Sequence, residues 1–245
     1  MSVKRKKSCW IPNAVRNGID LSRITRIVIS HGHLDHTGGL RGLLQVIRKK
    51  LEIIIHPEAW AEKYATRPET NESRIHFIGI PFLKAELENL GASFTLSREP
   101  VWINDYIVTT GEVPMKTSFE PIDNNLFVKT EGKLKQDKVP DDQALVIKTP
   151  KGLIVVLGCA HHGMINTIMH AQKITGEKKV HAVVGGTHLF RSDSDQINQS
   201  IVKLEELEVD QIGVSHCTGM PAAMALMNHF GNRFFFNHVG KVTEF

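Results

Sequence analysis

Apolar residues fall along this chain in two alternating rhythms. Residues 24–30 form a short apolar run of buried-strand type, and residues 39–50 space their apolar positions at helical intervals. Leu51 to His56 reads as a strand, and Pro57 to Ala65 as a helix with proline in its first turn. A polar loop is predicted over 66–74, a strand over 74–80, and a helix over 81–90 closed by Gly91. Two or three strands fit between Ala92 and Thr110. A hairpin joins 143–149 to 153–157 around Pro150, Lys151 and Gly152. Then come helix 164–175, strand 179–184, helix 194–208, strand 210–214, helix 221–230 and a final strand 233–236. Only Gly111 to Asp142 keeps neither rhythm for long. That length predicts a loop over the active site, with 129–139 mobile.

Composition narrows the class. The 245 residues are 41% hydrophobic, enough to fill one core, and neither a repeat nor a compositional break divides them. The expected organisation is a basic tail over 1–12 and a single domain over 13–245. A net charge of +4 is small for this length and does not argue for nucleic acid. No apolar run is long enough to span a membrane, and the basic run Lys4 to Lys7 lacks the apolar stretch of a signal peptide. Three cysteines without framework spacing read as free thiols in a reducing cytoplasm. Oligomeric state is left open.

The chemistry concentrates where the first strand ends. His31, His33, Asp35 and His36 place four metal-competent side chains within six positions, between a strand and a helix. Alternate residues of an extended segment point the same way, so His31 and His33 can grip one ion. Asp35 and His36, past the bend, are free to hold a second. Two ions about 3.5–4 Å apart can activate a shared water and clamp substrate oxygens. Zinc suits these donors best, with manganese and iron as alternatives.

The His-x-His-x-Asp-His string after a strand resembles the signature of the metallo-β-lactamase superfamily. The segments 158–166, 185–189 and 215–219 resemble more narrowly its 7,8-dihydropterin-6-yl-methyl-4-(β-D-ribofuranosyl)aminobenzene 5′-phosphate synthase-like subgroup. The resemblance implies an α/β fold, an αββα sandwich of two mixed sheets with helices outside. It also implies strands before the metal motif. Only thirty residues precede His31, so the expectation is a form lacking N-terminal strands, or a start lying upstream.

Later strand ends complete the expected site. His161 follows strand 153–157 and is read as the third ligand of the first ion, with adjacent His162 as its rival. The superfamily's last histidine matches His216, which joins Asp35 and His36 at the second ion. Many members carry a bridging aspartate where this chain has Cys159, leaving that thiol either to bridge or to pack. His188 is read as a metal ligand or as a catalytic group beside Asp35, positioning substrate or moving a proton. Glu112, in a stretch resembling the subgroup's Gly-Glu-Ile-Pro, is read as a wall of the site. Thr218 and Gly219 open a helix able to receive a phosphate, and Asn166 caps a helix or touches substrate.

The implied function is metal-dependent hydrolysis of a phosphorylated small molecule at a dinuclear site. The alternatives are a pterin-linked synthase, joining a dihydropterin methyl pyrophosphate to an aminobenzene ribofuranosyl phosphate, and a non-catalytic or metal-poor shortened form.

Overall fold

A computed structural model of the chain describes residues 10–67 and 72–245. The expected basic tail lies outside these as far as Cys9. Residues 10–12 open a helix instead, α1 (Trp10–Arg16). The first half continues as β1 (Arg26–Val28), α2 (Leu34–Thr37), α3 (Leu40–Ile47), β2 (Leu51–Ile55), β3 (Glu62–Arg67), β4 (Glu72–Phe77), α4 (Lys84–Asn89), β5 (Ala92–Leu96), β6 (Trp102–Asn104) and β7 (Ile107–Thr109). The second half holds β8 (Leu126–Thr130), β9 (Lys133–Gln136), β10 (Leu145–Thr149), β11 (Gly152–Leu157), α5 (Met164–Thr175), β12 (Val180–Gly186), α6 (Ser194–Glu206), β13 (Gln211–Ser215), α7 (Met220–Phe230) and β14 (Phe234–Phe236).

The layers run helix, sheet, sheet, helix. One sheet is mixed, in the order β14-β13-β12-β11-β10-β7-β6. The expected second mixed sheet is instead two hydrogen-bonded sheets, a parallel β1-β2-β5 and an antiparallel β4-β3-β8-β9. β1 is an edge strand, and among the described residues no strand pairs beyond it. The helix expected from Pro57 stops after one 3-10 turn, Pro57–Trp60, where Ala61 turns extended and β3 begins. The stretch expected to be mobile carries the β8–β9 hairpin, laid on β3 with Tyr64 opposite Phe127.

Two cores hold the layers. Ile165, Ile168 and Ala171 of α5, Ile201 and Leu204 of α6, and Leu226 of α7 pack with Val155, Val183 and Ile212 of the large sheet. Leu40 and Leu44 of α3 and Leu87 of α4 cover Ile53 and Ile55 of β2. Each fully buried aliphatic contributes roughly 1.5–3 kcal/mol. β11, β12 and β13 are parallel, with Leu157 opposite Gly185 and Gly185 opposite Val214. That register makes their carboxyl ends leave the sheet side by side, where open α/β sheets hold ligands.

Candidate metal centre

Four strand ends build one cluster. The turn after β1 supplies His31 and His33, the short α2 that follows supplies Asp35 and His36, and the turn after β11 supplies Cys159 and His161. The turns after β12 and β13 supply His188 and His216. Ala160, His188 and His216 all have left-handed backbone, with φ of 55°, 54° and 53°. Such conformations cost on the order of 1–3 kcal/mol at a non-glycine residue. They persist because these turns must aim side chains over the sheet edge.

The first donor set is His31, His33 and His161. Their ring centroids lie 4.5–4.9 Å apart, and His31 Nε2 is 3.3 Å from His161 Nε2. The second is Asp35, His36 and His216. His36 Nε2 and His216 Nε2 are 3.1 Å apart, with an Asp35 oxygen 3.5 and 3.4 Å from them. Cys159 stands against both, its sulfur 3.2 Å from His36 Nε2 and within 4.8 Å of the donor atoms of His31 and His161. The Ser30 hydroxyl lies 3.1 Å from His31 Nδ1 and 3.3 Å from His36 Nδ1. It engages one nitrogen of each ring and leaves the Nε2 faces toward the cluster.

These residues fit a divalent cation. Two nitrogens about 2.0–2.1 Å from one tetrahedral zinc stand about 3.3 Å apart, the spacing of the imidazole pairs here. Buried His33 Nε2 and His161 Nδ1 have no hydrogen-bond partner among the described residues. Burial holds His31 and His161 well below the ordinary imidazole value and brings His33 to about 4, so these rings stay neutral and able to ligate. Burial would raise Asp35, but its hydrogen bond with His216 and the charges of His36 and His216 bring it to about 2. That same bond raises His216 against burial.

His188 joins a third grouping. Its ring centroid lies 4.1 Å from that of His161, one of its nitrogens lies within 4.8 Å of the sulfurs of Cys159 and Cys217, and its Nε2 is 4.0 Å from an Asp123 oxygen. Contact with the Cys159 sulfur draws the Cys217 thiol below its ordinary value and pushes Cys159 above, so the pair shares one proton. His162, the rival ligand, is turned away. Its two ring nitrogens meet the carbonyls of Val113 and Lys138 at 2.6 and 2.7 Å.

Three expected substrate contacts lie elsewhere. Asn166 is buried with its amide fully used. Its oxygen accepts from the N–H groups of Lys116 and Thr117, and its nitrogen donates to the Thr117 hydroxyl and the His162 carbonyl. Thr218 is buried too, donating to the Ser215 carbonyl and accepting from Thr187. Glu112 pairs with His56 at 3.0 Å and Arg98 at 2.7 Å, away from the cluster. Gly219 does reach the rim, leading α7 against Phe190, whose ring lies 5.3 Å from that of His188. No side chain caps that helix end.

A layer behind the donors escaped sequence reasoning. Asp141 accepts the Gly32 N–H at 2.7 Å, and buried Lys63 donates to Asp141 at 2.7 Å and Asp137 at 2.8 Å. No local spacing marks such long-range partners. Cys217, by contrast, had a signal in its position beside His216 at a strand end.

The chain belongs to the metallo-β-lactamase superfamily, whose family model matches residues 4–216. It is 36% identical over 236 residues to a 7,8-dihydropterin-6-methyl-4-(β-D-ribofuranosyl)-aminobenzene-5′-phosphate synthase of Methanocaldococcus jannaschii, spanning 93% of this chain and 77% of that protein. The crystal structure of Tm1679, a metal-dependent hydrolase of the β-lactamase superfamily, superposes with a TM-score of 0.78 at 26% identity, over 96% of this chain and 85% of that one. Zn²⁺-bound PqqB from Methylobacterium extorquens shares the fold at a TM-score of 0.50 and 12% identity, over 91% and 73% of the two chains. Among the described residues, no helix is long and apolar enough to cross a membrane.

Proposed function

We propose that this chain is a metal-dependent hydrolase of a phosphorylated small molecule, working through a dinuclear centre. One observation carries the reading: two pairs of imidazoles, His31 with His161 and His36 with His216, meet at a single shared sulfur, Cys159. His31, His33 and His161 would hold one ion, and Asp35, His36 and His216 the other. Two divalent cations, zinc before manganese or iron, supply Lewis acidity to the scissile bond and its attacking water. Asp35 keeps its negative charge and orients His216. The uncapped first turn of α7 behind Gly219 offers its N–H groups to a phosphate. The chemistry needs Cys159 as a free thiol, which favours a reducing, cytoplasmic setting.

A turnover screen on zinc- and manganese-loaded protein with phosphomonoesters and phosphodiesters tests this. Cleavage that disappears on chelation and in His33→Ala is expected. Metal-loaded protein cleaving neither class sinks the hydrolase reading.

The similarity to the archaeal synthase favours a second reading, in which the chain releases pyrophosphate from a dihydropterin methyl pyrophosphate as the aminobenzene ribofuranosyl phosphate bonds to its methyl carbon. Pyrophosphate released only when both substrates are present selects it over hydrolysis.

A further inference from the structure

Beyond the two ion sets lies a third group of donors on the same sheet edge. Cys159, His188 and Cys217 come after the adjacent strands β11, β12 and β13, and their Sγ and ring nitrogen atoms lie within 4.8 Å of one another. Both nitrogens of His188 are buried without a hydrogen-bond partner among the described residues. The backbone makes room for sulfur here. Gly186 ends β12, and a Cβ on it would stand 2.7 Å from Cys217 Sγ and 2.5 Å from the Gly158 carbonyl oxygen. The turn bearing Cys217 is tied back by the Thr187 hydroxyl donating to Thr218 at 3.0 Å, and by Thr218 donating to the Ser215 carbonyl at 2.8 Å. Both cysteines are free thiols. Two sulfurs and an imidazole are the donors that select zinc or another soft ion over manganese or magnesium.

We propose that Cys159, His188 and Cys217 form a further metal-binding set of this chain, one that takes a thiophilic divalent cation such as zinc. His188 serves there as a ligand rather than as a proton carrier. Cys159 is common to this set and to the other two, so its thiolate is the joint through which the sets share a ligand. An ion held here clasps the turns after β11, β12 and β13 together. The site needs no particular substrate, so a chain inactive on phosphoesters and pterins still answers the test.

The test uses the full chain, stripped with chelator and reloaded. Cobalt(II) bound by thiolate shows a sulfur-to-metal charge-transfer band in the near ultraviolet. In Cys217→Ser that band should fall by about a quarter or more, as the one thiolate particular to this set is lost while the Cys159 contacts stay. A second measurement needs no cysteine variant. Zinc should slow alkylation of Cys217 in the native sequence by about 10-fold or more, because a ligated thiolate is a poor nucleophile. His188→Ala should abolish that protection at Cys217 while Cys159, held by the other sets, keeps its own. A cobalt band unchanged in Cys217→Ser, or Cys217 alkylated equally fast with and without zinc, overturns the proposal.

Discussion

The Asp141 carboxylate accepts the backbone N–H of Gly32 at 2.7 Å, across 109 residues of chain. That bond holds the turn between His31 and His33, and Lys63 holds the carboxylate in turn. Partners behind the ligands typically change metal affinity by 10- to 100-fold. Asp141→Ala is therefore expected to weaken metal binding by about that factor, measured by competition with a chromogenic chelator.

The same triad predicts a pH window. Burial opposes the charge of Lys63, but Asp141 and Asp137 outweigh it and raise its value. Burial likewise raises Asp141, and the Lys63 charge and hydrogen bond bring it below the ordinary carboxyl value. The lowered carboxyl stabilises the fold above about pH 4 and loses this as pH falls through its folded value. The raised amine stabilises below about pH 10 and loses this as pH rises through its own. Lys63→Met leaves two buried carboxylates uncompensated, at a cost of about 3–5 kcal/mol. Urea melts should show that gap narrowing as pH falls, because burial raises the uncompensated carboxyls of the variant and they take up protons. It should narrow again as pH rises through the Lys63 value.

Gly163 lets a distant carboxylate cap a helix. Its φ is +95°, and a Cβ there would stand 2.3 Å from Glu120 Cδ. Glu120 accepts the Ile165 N–H at 2.8 Å and the Asn166 N–H at 3.0 Å, covering the start of α5. Gly163→Ala strains the backbone and expels the cap, and should cost more than about 2 kcal/mol. Gly176, at the other end with φ of +71° and open space around it, should cost only about 1 kcal/mol as alanine. Equal costs in denaturant melts would show that the Glu120 contact contributes nothing.

Much of the fold and of the histidine cluster is legible in the sequence, where local pattern and tertiary role agree. The 164–175 helix is readable because Ile165, Ile168 and Ala171 keep one face apolar and Gly176 stops it. The His31–His36 turn is readable because its donors are neighbours in sequence. β3 is hidden because Pro57 starts a turn that looks helical, whereas pairing with β8 fixes residues 62–65 as extended. The β8–β9 hairpin is hidden because β8 is a short apolar run without alternation and β9 is polar and exposed. Asp141, Lys63 and the Cys159–Cys217 approach are contacts between distant segments, invisible to spacing.

Protons and metal compete for the same nitrogens, and the two ion sets should yield to acid at different pH values. His216 is raised by its bond to Asp35, whereas His31, His33 and His161 are lowered by burial. A raised histidine takes up its proton first. His36 is lowered by burial, so His216 is the raised member of its set. The Asp35, His36 and His216 set should release its ion first as pH falls, and the His31, His33 and His161 set at lower pH. Metal release read with a pH-insensitive indicator should be biphasic. One step at a single pH contradicts the assignment of ligands to two separate ions.

Adjacent His161 and His162 give the sharpest contrast. Backbone direction sends neighbours apart, so His161 reaches the cluster with Nε2 3.3 Å from His31 Nε2 while His162 faces the carbonyls of Val113 and Lys138. His161→Ala removes a proposed ligand and relieves a buried, unpartnered nitrogen. It should lower metal affinity by more than about 10-fold while leaving the metal-free melt within about 1 kcal/mol. His162→Ala removes the ring that bridges the carbonyls of Val113 and Lys138, leaving a buried carbonyl without its donor. It should cost about 1–3 kcal/mol in the metal-free protein. Its metal affinity should fall far less than that of His161→Ala. Calorimetric metal titration beside denaturant melts of both variants reads the contrast, and the reverse pattern would exchange the roles of the two histidines.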